Sequence, residues 1–244
     1  MRLTDEVPAN TQARIAGALW LAVIITGAFA TLTMRQLYMA NDPAGTAVRL
    51  LASESQFRVA FVVNVISFAC YVGVTVILWV LLKPVSRTLA LLAAALGVTG
   101  VAIGMATSLA QLIPLLLLNG SHLASFTTEQ LQGLALTSFL VNTQGALVSW
   151  VFFGLQCVIA GYLIARSSFL PRILGVLLAI GGTGYVIGCS MILIFPNIGG
   201  KLFPILLGAA FIGEGSLTAW LLAKGVNLAK WNEYSRQPRQ AFTR

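Results

Sequence analysis

The sequence predicts an all-α integral membrane bundle of six transmembrane helices, with both termini cytoplasmic. Three observations carry this reading. Only 9% of the 244 residues are charged and 58% are hydrophobic, whereas about a quarter of a soluble domain is charged. The apolar residues gather in stretches of about 18 or more without a charge, the length a helix needs to cross a bilayer. The basic residues concentrate in alternate connections, as they do where cytoplasmic loops are positive. This composition excludes a soluble globular enzyme, a disordered chain, a collagen and a disulfide scaffold.

The first span runs from about Ile15 to Met34. Arg2 and Arg14 precede it, and Ala28-Phe29-Ala30 has the small-x-small form of a signal-peptidase site. The long charged lead-in and the apolar character beyond that site favour an uncleaved span. The second span, Val59 to Leu82, ends at the polar turn Lys83-Pro84-Val85-Ser86-Arg87, because proline lacks the donor that would continue the helix. The third runs from Thr88 to Leu118, with Pro114 expected to bend its last turn. The fourth occupies Leu140 to Ile164 and is followed by a basic turn, Arg166 to Arg172, containing Pro171. The fifth runs from Ile173 to Phe195 and stops at Pro196; the sixth runs from Phe203 to Ala223. At ~1.5 Å per residue, about 20 residues cross a ~30 Å core, so all six suffice. The third is long enough to tilt or protrude. The chain divides into an N-terminal segment (1–13), a transmembrane domain (14–224) and a basic tail (225–244).

Counting Lys and Arg by side sets the expected orientation. Arg2, Arg14, Lys83, Arg87, Arg166, Arg172, Lys224, Lys230, Arg236, Arg239 and Arg244 fall on one side. Arg35, Arg49, Arg58 and Lys201 fall on the other, so eleven against four puts both termini in the cytoplasm. Trp20, Trp79 and Trp220 fall near the cytoplasmic ends of their spans, as an aromatic belt would. The formal charge of +8 then points to anionic lipid headgroups rather than nucleic acid. The tail, with Trp231 and Tyr234 among its basic residues, reads as a lipid-surface anchor. On the outer side, Asn41-Asp42 before Pro43 is a helix start, and Val48, Leu51 and Phe57 are expected on the bilayer, with Glu54 and Arg58 an i,i+4 pair. A second start lies at Thr127, where Gln130 completes a capping box and Phe126 faces Leu131 as a staple.

Gly97-Val98-Thr99-Gly100-Val101-Ala102-Ile103-Gly104 in span three matches Gly181-Gly182-Thr183-Gly184-Tyr185-Val186-Ile187-Gly188 in span five at five of eight positions. The pairs Gly100/Gly104 and Gly184/Gly188 each make a flat groove where another backbone can approach. Such faces serve helix packing inside the bundle or docking outside it.

Glu214 is the residue on which chemistry would turn. It lies ~17 Å into the sixth span by helical rise, near the bilayer midplane. A carboxyl there must face the bundle interior, carry a proton or have a partner. Gly213 and Gly215 flank it, and Ser216 and Thr218 follow. Asn142, Gln144, Tyr71 and Tyr185 are the other polar groups expected to join it in a pocket opening outward; Asn64 and Gln111 also lie within spans. Arg35 and Arg58, at the outer ends of spans one and two, frame an anionic site or snorkel to headgroups. Cys70, Cys157 and Cys189 read as packing residues. His122 is the single histidine, which removes two-histidine haem, zinc and iron sites. No hydrolase, zincin, nucleotide-loop or C-x-x-C motif occurs, so no catalytic residue, metal or cofactor is assigned.

Several stretches resemble a bacterial membrane family described only as domain of unknown function 4386. They are Arg14-Ile15-Ala16-Gly17, Phe57-Arg58, Leu81-Leu82-Lys83-Pro84-Val85, Ser168 through Gly175 (Ser-Phe-Leu-Pro-Arg-Ile-Leu-Gly), Gly213-Glu214 and Trp220 through Gly225 (Trp-Leu-Leu-Ala-Lys-Gly). The resemblance implies a multi-pass inner-membrane protein with Arg58 and Glu214 in the shared pattern, and no activity, cofactor or substrate. The expected function is non-enzymatic binding of a small or lipid-like ligand, or of a partner helix, around Glu214. The alternatives are an intramembrane lipid enzyme using Glu214 as acid or base, and a structural subunit docking through its GxxxG faces. An enclosed site at Glu214 favours the first two; GxxxG faces turned to lipid favour the last.

Overall fold

In a computed structural model, residues 7–39, 42–119 and 125–236 are described; Arg2, Asn41, His122, Arg239 and Arg244 lie outside them. The described residues form helices α1 (Ala9–Leu37), α2 (Pro43–Ala52), α3 (Glu54–Leu82), α4 (Arg87–Ser108), α5 (Ile113–Asn119), α6 (Thr128–Arg166), α7 (Arg172–Ile194), α8 (Pro196–Ala223) and α9 (Leu228–Arg236). Six units are long and apolar enough to cross a membrane: α1, α3, α4 with α5, α6, α7 and α8. Their outward faces are apolar. Ile25, Leu32, Leu91, Ile173, Ile205 and Phe211 are all exposed, as helices solvated by lipid require.

The element ends follow from local chemistry. Asp42 caps α2 by accepting from the Gly45 amide at 2.8 Å, with Pro43 in the first turn. Thr127 and Gln130 form the reciprocal capping box that starts α6. That helix runs on without a break for 39 residues, ~58 Å, so its first turns project beyond a ~30 Å hydrocarbon core. The expected bend at Pro114 falls earlier. A single 3-10 turn at Leu109–Gln111 separates α4 from α5, because Pro114 offers no amide to the carbonyl four residues back. Phe57, expected on the bilayer, is fully buried in α3. The chain bends at Ser53, so Phe57 packs edge-on against Phe139 while Val48 and Leu51 stay exposed. Phe126 is exposed rather than stapled.

The spans form a closed ring in chain order: α1 on α3, α3 on α4, α4 on α6, α6 on α7, α7 on α8, and α8 back on α1. Both ends of the described chain lie at one face, here the terminal face. Two apolar clusters fill the ring. The larger gathers Ala13, Trp20, Leu78, Leu163, Leu178 and Leu221 at the terminal half. The smaller joins Leu37, Leu50, Phe57, Leu115 and Phe139 at the other end, where α2 and α5 brace α6.

Glycine sets the closest helix approaches. Gly154 and Gly161 of α6 meet Gly182 and Gly175 of α7, backbone on backbone. A Cβ at Gly161 would lie 2.5 Å from the Gly175 carbonyl oxygen, and one at Gly154 would lie 2.6 Å from that of Gly182. The pairs are two helical turns apart, a continuous antiparallel seam. Gly100 and Gly104 of α4 also face inward, toward Phe153 and Ser149 of α6 and Phe68 of α3. Ser149 Oγ donates to the Gly100 carbonyl at 2.7 Å across this contact. Gly184 and Gly188 face Leu206 and Phe203 of α8. All four GxxxG glycines are buried against neighbouring helices rather than turned to lipid.

The tail does not stand off on the membrane surface as far as it is described. Gly225 takes a left-handed φ of 66° and closes α8 with its amide bonded to the Trp220 carbonyl. The Val226 amide then donates to Asn10 Oδ1 at 3.1 Å. From α9, Trp231 Nε1 donates to the Leu81 carbonyl at 3.1 Å and the Tyr234 hydroxyl to the Arg166 carbonyl at 3.2 Å. Those carbonyls lie in the last turns of α3 and α6, where no intrahelical donor remains. The aromatic residues of the tail therefore cap other helices, and Lys230 and Arg236 point outward.

Replacing Gly161 by leucine forces a side chain into the α7 backbone and is expected to cost about 1–3 kcal/mol, as overpacking does. Gly208, whose Cβ would meet nothing, tolerates alanine within about 1 kcal/mol and on the stabilising side. Thermal unfolding of the two variants in detergent checks the contrast; equal melting temperatures contradict the glycine seam.

Candidate functional site

Five helices place polar side chains in one layer. Trp20 lies 11 residues from the terminal-face end of α1, Tyr71 11 from that of α3, Cys157 nine from that of α6, Tyr185 13 from that of α7 and Glu214 nine from that of α8. By helical rise these depths are ~14–20 Å, close to the middle of a ~30 Å core. Equal depth on adjacent members of a ring brings the side chains together.

Glu214 is half-buried, just beyond Gly213, which is buried against α7. A Cβ at Gly213 would lie 2.5 Å from the Leu177 carbonyl oxygen, so a larger residue would push α8 away and the carboxyl out of register. Cys157 Sγ donates to Glu214 Oε1 at 3.8 Å. The Trp20 indole and the Tyr185 hydroxyl also approach the carboxyl, and Tyr71 lies within electrostatic range of both Glu214 and Cys157. The rings continue outward from there. Trp20 meets Tyr71 edge-on at 6.4 Å, Tyr71 meets Phe153 at 4.5 Å, and Tyr185 meets Trp150, which stacks on Phe203.

Two buried polar atoms of this layer, Trp20 Nε1 and Tyr71 Oη, have no aligned hydrogen-bond partner, and Thr218 Oγ1 is unpaired nearer the terminal face. Trp20 faces the carboxyl without an aligned bond. Thr218 lies one turn after Glu214 on the same face of α8. One turn toward the terminal face from Tyr71, Thr75 Oγ1 accepts from Gln156 Nε2 at 3.2 Å, and Gln156 Oε1 is itself unpaired. Unpaired polar atoms are rare in native interiors and cost about 1–3 kcal/mol each. Three of them, Trp20 Nε1, Tyr71 Oη and Gln156 Oε1, lie at the depth of this layer.

The expected constellation is thus partly assembled. Tyr71 and Tyr185 lie with Glu214. Asn142 and Gln144 do not, since they are 15 and 13 residues from Cys157 along α6, ~20–22 Å away. Gln144 faces outward and Asn142 is half-buried. Arg58 is engaged by Glu54, Nη2 to Oε1 at 2.7 Å, and that carboxylate also accepts from Asn119; Arg35 is exposed on α1. Asn64 Nδ2 bonds Ser108, and Gln111 is buried at the α4–α5 turn.

Two members come from outside the expected set. Trp20, expected in an interfacial belt, is 1% exposed, because it shares a face of α1 with the buried Ala13, Ala16 and Gly17. Cys157, expected as a packing residue, is the thiol that touches the carboxyl. Counting residues inward from each terminal-face turn gives their depth, but not the face of the helix on which they lie.

Ring and layer together define a multi-pass membrane protein with a polar cluster around one intramembrane carboxyl. The chain belongs to the family described as Domain of unknown function (DUF4386), whose profile matches residues 15–225. It is similar to an uncharacterised protein of Archaeoglobus fulgidus, 28% identical over 160 residues that cover 65% of this chain and 79% of the relative. No solved structure matches it.

Because the Thr218 hydroxyl bonds nothing in the folded chain, Thr218→Val loses no hydrogen bond. After exhaustive detergent exchange, this variant is expected to melt at the wild-type temperature or above it. A destabilisation of about 1 kcal/mol, the worth of an ordinary hydrogen bond, contradicts the assignment.

Proposed function

We propose that this protein is a non-enzymatic ligand-binding protein of the bacterial inner membrane, holding a small or lipid-like molecule against Glu214 inside the helical ring. The observation that carries the reading is the gathering of Trp20 Nε1 and Tyr71 Oη, buried and without an aligned hydrogen bond, around one carboxyl. A ligand with polar atoms at one end satisfies groups that the fold leaves unsatisfied. Its role is that of a sensor, an accessory subunit or a transporter, with both termini cytoplasmic by the basic bias of the terminal face. The exposed Lys230 and Arg236 of α9 face anionic headgroups there, worth about 1 kcal/mol each near the surface.

Two other readings have less support. A docking subunit would turn its GxxxG faces to lipid, whereas Gly100, Gly104, Gly184 and Gly188 are occupied by neighbouring helices. An intramembrane enzyme would need a second carboxylate or an activated nucleophile beside Glu214. The groups around it are two phenols, an indole and a thiol.

Native mass spectrometry of the protein released from mild detergent tests the proposal. The wild type is expected to carry a bound molecule of defined mass, and Glu214→Gln to lose most of it while inserting normally. A wild-type chain that flies bare, or equal occupancy in Glu214→Gln, contradicts it.

A further inference from the structure

The seam between α1 and α8 closes the ring at one end only. Near the terminal face, Gly17 packs so closely that a Cβ there would lie 2.9 Å from the Leu222 backbone nitrogen. Toward the opposite face α1 leans on α3, with Ser67 Oγ donating to the Val23 carbonyl. α8 leans on α7, where Gly181, Gly184 and Gly188 receive Ala210, Leu206 and Phe203. Between these departures, residues 21–29 of α1 and 200–209 of α8 include no buried residue. Cβ atoms at Gly208 and Gly215 would meet nothing within 4 Å. A wedge facing hydrocarbon thus leads down α8 to Glu214.

The carboxyl at its base has no basic partner. The salt bridge among the described residues is Glu54 with Arg58, at the far end of α3. The groups that face Glu214 are Trp20 from α1, Tyr71 from α3, Cys157 from α6 and Tyr185 from α7, with Cys189 beyond Tyr185. No Lys, Arg, Asp or second Glu of the described residues lies in that layer. A bare carboxylate in hydrocarbon is costly, so the site is neutral in two ways: with a proton, or with a monocation.

We propose that the wedge admits an amphiphile bearing one protonated primary amine, and that its ammonium group takes the place of the Glu214 proton. This names the ligand class of the site proposed above and rests on that reading. A primary ammonium has three N–H donors. The site offers three acceptor atoms, the two Glu214 carboxylate oxygens and Tyr71 Oη, the last without an aligned partner. The Trp20 indole and the Cys157 thiol donate to the remaining carboxylate lone pairs. The rings of Tyr71 and Tyr185 add cation–π attraction in a desolvated site, and the apolar chain lies in the wedge. As the amine enters, the carboxylic O–H proton leaves to bulk water, N–H···O bonds replace it, and the charge of the site is unchanged.

Calorimetric titration of octylammonium into the full chain in maltoside micelles tests this, at about pH 6 and about pH 8 in buffers of different ionisation heat. Octanol is the neutral control; the amine, with a pKa near ~10, stays charged at both. Where the carboxyl starts protonated, one proton is expected to leave per amine bound and affinity to rise by up to about tenfold per pH unit, the release falling as the carboxyl ionises. Octanol and Glu214→Gln are each expected to show at least about tenfold weaker binding, and the variant no proton release. The variant Tyr71→Phe keeps the carboxyl and binds several-fold more weakly, which keeps the test intact if Glu214→Gln misfolds. Equal affinity for octanol and amine, or binding without proton release, overturns the cation assignment and leaves ligand binding at Glu214 standing. Failure of octylammonium to bind overturns it as well. A neutral lipid still held by the wild type in mass spectrometry then preserves the broader reading, and a bare wild type ends both.

Discussion

A carboxyl group ~14 Å from the nearest helix end by helical rise cannot use bulk water to offset its polarity. That constraint organises the ring. α8 must sit close enough to α7 for Gly213 to meet the Leu177 backbone, and α1 must turn Trp20 inward rather than to the headgroups. α6 must bring Cys157 to the same depth. The glycine seam between α6 and α7 makes that depth reproducible, because backbone-to-backbone contact leaves little freedom to slide. Cohesion in lipid comes from such close packing, since hydrocarbon tails are as apolar as the side chains they would replace.

The ring is closed differently at its two ends. Its terminal face is sealed by α9, with Trp231 and Tyr234 bonded to the last carbonyls of α3 and α6. Its opposite end is braced by α2 and α5 around Phe57 and Phe139. Neither brace covers the seam between α1 and α8 at mid-height. Glu214 stands where the tight half of that seam gives way to the open half.

Much of this architecture was legible in the sequence. Long apolar runs and Pro-containing basic turns located all six spans, and the Asp42 and Thr127 caps located two helix starts. The solitary acid deep in a span identified the centre of the polar layer. What escaped was rotational: which face of each helix turns inward. A helix apolar all round carries no amphipathic signal, so nothing in the local pattern separates Trp20 in a core from Trp20 in a belt. Depth was also counted loosely. Asn142 and Gln144 lie in the same helix as Cys157, yet two-thirds of a bilayer away. The fate of the tail was hidden for another reason, since Trp231 and Tyr234 suit a lipid interface and a helix end equally well. The position of the Leu81 and Arg166 carbonyls gives the two side chains their helix-end partners.

The central claim is that the Glu214 carboxyl lies inside the ring, among Trp20, Tyr71, Cys157 and Tyr185, and holds a ligand there. An electron cryo-microscopy map of the protein in lipid nanodiscs tests this most directly. The expected result is non-protein density touching the carboxyl and bounded by Trp20 and Tyr71, continuous with the gap between α1 and α8. A carboxyl turned to acyl chains or to bulk solvent, with the interior filled by protein side chains alone, would contradict it.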